Sequence, residues 1–267
     1  MENIIKLLRH LHYLVFWGKT PLANGVYDYL LRLLGKNGLL LDVGCGWGAL
    51  IVLEANQSRE IVGVDVSPSS LRSAKRRARV FKLENVHLIA CDACRLPFVN
   101  DIFDAAICTE VLEHVNNDQA LLEGISSSLK VGGILVVSTP HLYWKKNIML
   151  PMLSRILDNA SRQWGHVKDG YTINQLNSLL NNAGLIPIFW GYRLKCFGRV
   201  ASEIWQSVRY GFPSKSKVLN KFASPIITVL IHPFMQIGNF LDDHYLSENF
   251  VGFHLVAKAL KQSDSHP

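Results

Sequence analysis

The chain has 267 residues, of which 49% are hydrophobic, so it is long and apolar enough to bury a full core. Its 28 lysines and arginines exceed its 21 acidic residues, and the resulting net charge of +7 favours anionic partners such as lipid head groups or nucleic acid. The five cysteines are an odd number, which argues against a disulfide framework, and we expect reduced thiols in a cytoplasmic protein.

The chain opens with an apolar stretch, residues 4–17, which contains basic residues and histidines. Its leucines and isoleucines recur at helical spacing and no small-residue cleavage site follows, so we expect an amphipathic helix rather than a secretory signal. We assign residues 1–36 to an N-terminal helical segment or lid. Its apolar face would contact a core, a pocket or a membrane surface.

From residue 37 onward, short apolar runs alternate with helical patterns, which is the rhythm of a parallel sheet covered by helices on both faces. The pattern predicts an α/β fold with a Rossmann-like seven-strand sheet and a helical insertion before the last strand. The predicted strands are Leu39–Cys45, Ile61–Val66, Val86–Cys91, Phe103–Thr109, Gly133–Ser138, Leu185–Tyr192 and Asn249–Leu260. The predicted helices are Ala49–Asn56, Ser69–Lys82, Val111–Val115, Asp118–Lys130 and Ile173–Asn182.

The first strand runs directly into a glycine-rich turn, Asp42–Gly48. A strand that turns at once into a helix needs glycines where side chains would collide with the turn or with a ligand. Gly44, Gly46 and Gly48 therefore predict a site for a nucleotide-shaped cofactor at the end of this strand.

Acidic residues end the next two strands, where ligands bind in open α/β sheets. Asp65 follows Gly48 by 17 residues, close to the spacing of about 20 residues at which an acid binds ribose hydroxyls. Ser67 already marks the start of the next helix, which favours the ribose role of Asp65 over helix capping. Asp92, with Ala93, closes the third strand, where a carboxylate can accept a hydrogen bond from an exocyclic amine.

Two cofactors fit a turn of this kind. Counting Gly44, Gly46 and Ala49, the turn also matches the dinucleotide fingerprint, so an NAD-dependent oxidoreductase is an alternative. Asp42 argues against it, because a carboxylate at this position would repel a pyrophosphate held at the helix N-terminus. An acid there suits a ligand that carries an amino group and no phosphate.

Five segments resemble, in the expected order, the motifs of the class I S-adenosylmethionine-dependent methyltransferases, particularly the branch of the ubiquinone and menaquinone biosynthesis methyltransferases. The segments lie within residues 37–140 and read LDVGCGWG, VDVS, CDACRLPF, CTEVLEHV and LKVGGILVVSTP. The resemblance implies S-adenosyl-L-methionine as the cofactor. It also implies that the sheet is mostly parallel, with its last strand antiparallel.

The resemblance further implies roles for individual residues. Asp42, Gly44 and Gly46 would line the methionine part of the cofactor, and Asp65 would hold the ribose. Asp92 with Ala93 would contact the adenine, and Glu110 would lie beside the cofactor at the end of the fourth strand. The full predicted cofactor set is Asp42, Gly44, Cys45, Gly46, Asp65, Val66, Asp92, Ala93 and Glu110.

Methyl transfer from a sulfonium is an in-line displacement, so the protein mainly supplies proximity and alignment, and a base is needed only if the acceptor loses a proton. The candidate bases are His114, His141 and His166. Each also has a structural interpretation. His114 would cap or pack a helix, His141 would pack against Tyr143, and His166 would belong to a polar, aromatic segment before the next helix.

Residues 193–248 lie where the family usually has a short turn, so we expect a lid or docking surface on the acceptor side. Residues 222–241 carry no Asp, Glu, Lys or Arg. A membrane crossing there would nevertheless separate the last strand from its sheet. Two interpretations fit: an apolar lid, or an interfacial helical pair that holds the protein peripherally on the inner membrane face.

The predicted domains are the N-terminal segment 1–36, the cofactor-binding core 37–192, the insertion 193–248, and the final strand and tail 249–267. We predict no metal site, because Cys91 and Cys94 lack a second cysteine pair. A nucleic-acid substrate is disfavoured, since no RNA-binding module accompanies the cationic row formed by Arg72, Lys75, Arg76 and Arg79.

The sequence thus predicts a methyltransferase that modifies an oxygen or carbon of a small or lipid-like acceptor. The alternatives are the NAD-dependent oxidoreductase and a non-catalytic protein that binds a cofactor or docks on a membrane.

Overall fold

The computed structural model describes residues 25–35, 38–55, 59–143, 165–195 and 251–263, with a few isolated positions between 200 and 246. The chain divides into two compact units. The sheet unit comprises Tyr27–Pro140, Val167–Gly191 and Leu255–Pro267, and the second unit comprises Met1–Val26, His141–His166 and Tyr192–His254.

Helices and strands alternate along the described chain. The strands are β1 (Leu40–Val43), β2 (Ile61–Asp65), β3 (Val86–Ala90), β4 (Phe103–Thr109), β5 (Leu129–Pro140), β6 (Leu185–Arg193) and β7 (His254–Lys261). The helices whose bounds the structure describes are α1 (Gly25–Leu34), α2 (Ala49–Ala55), α3 (Pro68–Val80), α4 (Asp118–Ser128) and α5 (Ile173–Asn182), and a 3₁₀ turn lies at Leu112–His114.

The seven strands form one sheet in the order β3-β2-β1-β4-β5-β7-β6, which confirms the predicted seven-strand α/β plan. The first five strands in chain order run parallel to one another. The last strand, β7, is antiparallel to β6. The Gln262 amide donates to the Gly184 carbonyl at one end of the pair, and the Phe253 amide donates to the Leu194 carbonyl at the other. The order reverses between β1 and β4, and ligands bind outside the carboxyl ends of strands at such a point.

The core lies beneath this reversal. The strand β1 is buried along its whole length, and β4 is nearly so, because helices cover both faces of a parallel sheet. On one face, α1 contributes Leu30, Leu31 and Leu34 to a cluster that also contains Ile61 and Ile107. The only polar side chain within β1 is that of Asp42.

Several elements differ from their sequence predictions. The last strand, predicted to begin at Asn249, begins at His254. The helix predicted to reach Lys130 ends at Ser128, and β5 begins at Leu129 rather than Gly133. A register shift opposite β4 allows the early start, and Gly132 takes a left-handed φ of +78° there. The helix predicted over Val111–Val115 is a single 3₁₀ turn.

Several predictions fall on residues that the structure does not describe. They include the amphipathic helix of residues 4–17, most of the insertion 193–248, and Cys196. Among the described helices, none combines the length and the apolar character that crossing a membrane would require.

The end of β7 is fastened by a buried lysine. Lys261 Nζ donates to the Leu129 carbonyl at 2.7 Å and to Asp101 Oδ1 at 2.9 Å.

We predict that Lys261→Met lowers the free energy of unfolding by about 1–3 kcal/mol, because it leaves a buried carbonyl without its donor. Urea unfolding measures this change. Lys258→Met, on the opposite face of β7, is the matched control, and equal losses in both variants would contradict the prediction.

Candidate functional site

The glycine turn at the end of β1 is tightly packed on two sides. Gly44, Gly46 and Gly48 all have left-handed backbones, with φ of +70°, +53° and +80°. A Cβ at Gly44 would stand 2.3 Å from a methyl carbon of Val111, and one at Gly48 would stand 2.9 Å from the Ala74 Cβ. Among the residues that the structure describes, a Cβ at Gly46 would approach only the Gly44 carbonyl, at 3.9 Å, so this position has room for a ligand.

Asp65 connects this turn to the next βα junction. One carboxylate oxygen accepts the Gly46 amide at 2.8 Å, and the other accepts the Ser67 amide at 2.7 Å. Ser67 itself caps α3 by accepting from the Ser70 amide, as its predicted place at the helix start requires. Each Asp65 oxygen keeps a second lone pair, so the carboxylate can still accept ligand hydroxyls.

The residues around this junction differ in exposure. Val66 is 74% exposed, so its apolar side chain is open to a ligand. The Cys45 side chain is buried, and its Sγ would lie 3.0 Å from a Cβ placed at Gly63. A ligand can therefore contact little of Cys45 beyond its backbone. Asp92 is exposed, and its carboxylate accepts the Cys94 amide at 2.9 Å, which orders the loop that contains Ala93.

Asp42 is the most buried acid of the predicted set. It is 2% exposed, and neither of its carboxylate oxygens accepts a hydrogen bond from any residue that the structure describes. Burial raises the pKa of Asp42 to about 7, and the negative charge of Asp65 adds to this rise. A buried carboxylate in this state is suited to receive a cationic or hydrogen-bond-donating ligand.

A second acidic pair lies where β4 and β5 end side by side. Glu110 has a left-handed φ of +55°, rare for a non-glycine residue and typical of functional sites. Ser138 Oγ donates to Glu110 Oε1 at 3.0 Å, and Thr139 Oγ1 donates to Glu113 Oε2 at 3.1 Å. Burial raises the pKa of both glutamates, and the charge of Glu110 raises that of Glu113 further. We therefore expect the pair to hold a proton near neutral pH.

The segment after Gly165 is joined to this pair through its backbone. The amides of Val167 and Lys168 both donate to the carbonyl of Glu113. The Tyr171 hydroxyl donates to Asp118 at 2.8 Å, and Lys168 forms an ion pair with the same carboxylate. These contacts fix the backbone beneath the buried Glu113 side chain.

The three candidate histidines have different surroundings. His114, in the sheet unit, is exposed, and its Nε2 lies 4.0 Å from Glu113 Oε1. His141, in the second unit, is buried, with its ring edge-to-face with Tyr143 and Tyr192. His166 also belongs to the second unit and is half-buried. The packing predicted for His141 against Tyr143 is present.

Sequence reasoning missed Glu113 and Thr139. A glutamate three residues after Glu110 reaches the same place only because a 3₁₀ turn follows the fourth strand, where a longer helix is predicted. The signal was available in the motif CTEVLEHV, whose two glutamates are spaced for one face of a turn.

Comparison with known families matches residues 34–184 to a family described as a methyltransferase domain. Among curated proteins, the chain is 29% identical over 175 residues to the demethylmenaquinone methyltransferase of Tropheryma whipplei (strain Twist), covering 61% of this chain and 71% of that protein. It is also 29% identical over 153 residues to a ubiquinone biosynthesis O-methyltransferase of Cereibacter sphaeroides, covering 56% and 60%.

Solved structures share the fold at lower identity. One is the phosphoethanolamine N-methyltransferase 2 of Haemonchus contortus, in complex with S-adenosyl-L-methionine. Its TM-score to this chain is 0.62 at 20% identity, and the match covers 98% of this chain and 58% of that one. At this identity the similarity concerns the fold, which hosts many activities.

The buried carboxyl of Asp42 predicts a pH-dependent stability. Its pKa is raised from an ordinary 3.8 to about 7, so the folded protein binds this proton more tightly than the unfolded chain does, and stability falls as pH rises between these values. Asp42→Asn cannot ionise. Its free energy of unfolding relative to the wild type should therefore rise from pH 4 to pH 8, by on the order of 1–4 kcal/mol.

Urea unfolding at pH 4, 6 and 8 measures this difference. The exposed Asp92 provides the control variant, Asp92→Asn, which is measured at the same three pH values. A constant difference for Asp42→Asn would mean that the buried carboxyl stays ionised throughout.

Proposed function

Because the chain belongs to the methyltransferase-domain family, we propose that it transfers a methyl group from S-adenosyl-L-methionine to an oxygen or carbon of a small or lipid-like acceptor. The observation that carries the cofactor assignment is the joined pair of Asp65 and the glycine turn at the reversal of strand order. When bound, the cofactor supplies a methyl group on a positively charged sulfur.

The residues of the turn fit this cofactor. Asp42 offers two buried oxygens that no described residue satisfies, which suits the ammonium group of the methionine part. Gly44 has no side chain to collide with Val111, and a Cβ at Gly46 would meet no described atom nearer than 3.9 Å, so the turn can lie close to a ligand at Gly46. The spare lone pairs of Asp65 suit ribose hydroxyls, and exposed Val66 offers an apolar contact for a purine.

The same features argue against NAD. A pyrophosphate at the N-terminus of α2 would lie beside the carboxylates of Asp42 and Asp65, which would repel it. The family match favours the methyltransferase over the oxidoreductase and over a non-catalytic protein.

We infer that the acceptor is a hydroxylated ring with an apolar tail. Support comes from the curated relatives, whose names refer to demethylmenaquinone and to ubiquinone biosynthesis.

An oxygen acceptor loses its hydroxyl proton as the new carbon–oxygen bond forms. His114, His141 and His166 are candidates to take that proton, and the Glu110–Glu113 pair, whose pKa values are raised by burial, is a further one.

We further propose that residues 193–248 serve the acceptor, as a lid or as an interfacial element on a membrane. Co-sedimentation with vesicles of acidic phospholipid separates the two roles. A lid predicts no vesicle binding, and an interfacial element predicts binding that weakens when residues 222–241 are replaced by a polar linker.

Asp65→Asn tests the cofactor site. The change keeps the shape of the side chain but removes the charge that holds Gly46, Ser67 and the proposed ribose hydroxyls. We predict that the affinity for S-adenosylhomocysteine falls more than tenfold, since one of the two acceptor oxygens becomes an NH2 donor, which can accept neither a backbone amide nor a ribose hydroxyl. Calorimetry on the purified variant measures this, and Glu84→Gln, an exposed acid-to-amide change, is the matched control. Unchanged affinity in folded Asp65→Asn would contradict the ribose assignment.

Activity is tested by release of S-adenosylhomocysteine. Purified protein with S-adenosyl-L-methionine and a catechol or demethylated quinol that bears an isoprenoid tail should release it, and NADH should show no binding by calorimetry. Binding of NADH without S-adenosylhomocysteine binding would restore the oxidoreductase. Binding of S-adenosylhomocysteine without turnover on any such ring would leave a cofactor-binding protein.

A further inference from the structure

One arginine of the cationic run on α3 is buried. Lys75, Arg76 and Arg79 point outward, whereas Arg77 is only 7% exposed. Its guanidinium carbon lies 3.8 Å from the centre of the Trp47 ring, so the cation stacks on the indole. Removing a guanidinium from water costs free energy, and an aromatic face returns part of that cost.

Trp47 belongs to the glycine turn. It stands between Gly46, whose amide Asp65 accepts, and Gly48, whose missing side chain lets the turn lie on Ala74. Ala74 and Arg77 are three residues apart, so they share one face of α3. The turn therefore rests on this face at two adjacent points, Gly48 on Ala74 and Trp47 on Arg77.

The glycine turn needs these contacts because its backbone has high conformational entropy. Three glycines in left-handed conformations have a larger choice of backbone states than other residues, and ordering them costs conformational entropy. The Asp65 contact restrains Gly46 from one side. The indole of Trp47 is 40% exposed and rigid. Its contact with Arg77 restrains the glycine turn on the side that faces α3.

We propose that Arg77 is a positioning residue, which holds the glycine turn through Trp47 in the form that receives the methionine part of the cofactor. The inference rests on the proposed function, because it names how one side of that site is kept in shape. Arg77 acts through Trp47 and is not required to touch the cofactor.

The test compares two ligands on the full-length protein by calorimetry. S-Adenosylhomocysteine carries the amino-acid part that would contact the turn, and methylthioadenosine lacks it. Arg77→Met keeps the apolar stem and removes the charge. We expect Arg77→Met to lower the affinity for S-adenosylhomocysteine roughly five- to tenfold and the affinity for methylthioadenosine less than about twofold. Arg77→Lys should recover part of the loss, and Arg76→Met, its exposed neighbour, should bind both ligands as the wild type does.

Trp47→Leu provides a second route if Arg77→Met folds poorly. It should show the same ligand selectivity, and the double variant should lose no more affinity than either single change, because both remove one contact. Equal weakening of both ligands would indicate a general effect on the fold and overturn the inference. Unchanged affinities or additive losses would overturn it too, while leaving the proposed function intact. Failure of the wild type to bind either ligand would overturn the proposed function first, and this inference with it.

Discussion

The carboxylate of Asp65 is the contact on which the site depends. It accepts one amide from the glycine turn and one from the start of α3, so a single side chain at the end of β2 sets the relation between two neighbouring βα junctions. Both hydrogen bonds involve a charged acceptor, which makes them stronger than neutral ones. The glycine turn has little conformational preference of its own and takes its shape from this contact and from its packing on α3.

Negative charge is concentrated at the carboxyl edge of the sheet. Asp42, Glu110 and Glu113 are acids at least half-buried there, and burial raises the pKa of each. Apolar residues in these places would make the fold more stable, because buried carboxyls lose their hydration. Their presence is typical of functional sites, in which stability is given up for groups that interact with a cationic ligand or a mobile proton.

The sequence predicted the sheet, the glycine turn and the acid at the end of β2, because each depends on local patterns: apolar runs, glycines and spacing. It did not predict what depends on tertiary context. Arg77 lies within a run of cations that resembles a solvated face, and only the helix packing distinguishes it from Arg76. Glu113 comes beside Glu110 through the 3₁₀ turn after β4, where the sequence predicts a longer helix. The early start of β5 depends on a register shift against β4, and such shifts follow strand pairing rather than propensity.

The place of β7 in the sheet has a consequence for synthesis. β6 hydrogen-bonds only to β7 within the described sheet, yet residues 194–253 separate the two strands in the chain. At roughly 5–20 residues per second, the ribosome needs several seconds to make this interval, and β6 waits unpaired meanwhile. The glycine turn and its acids emerge long before. All residues of the proposed cofactor site are therefore synthesised while the sheet still lacks its last strand, so a ligand that binds only the folded site would stabilise the fold from the moment the site forms.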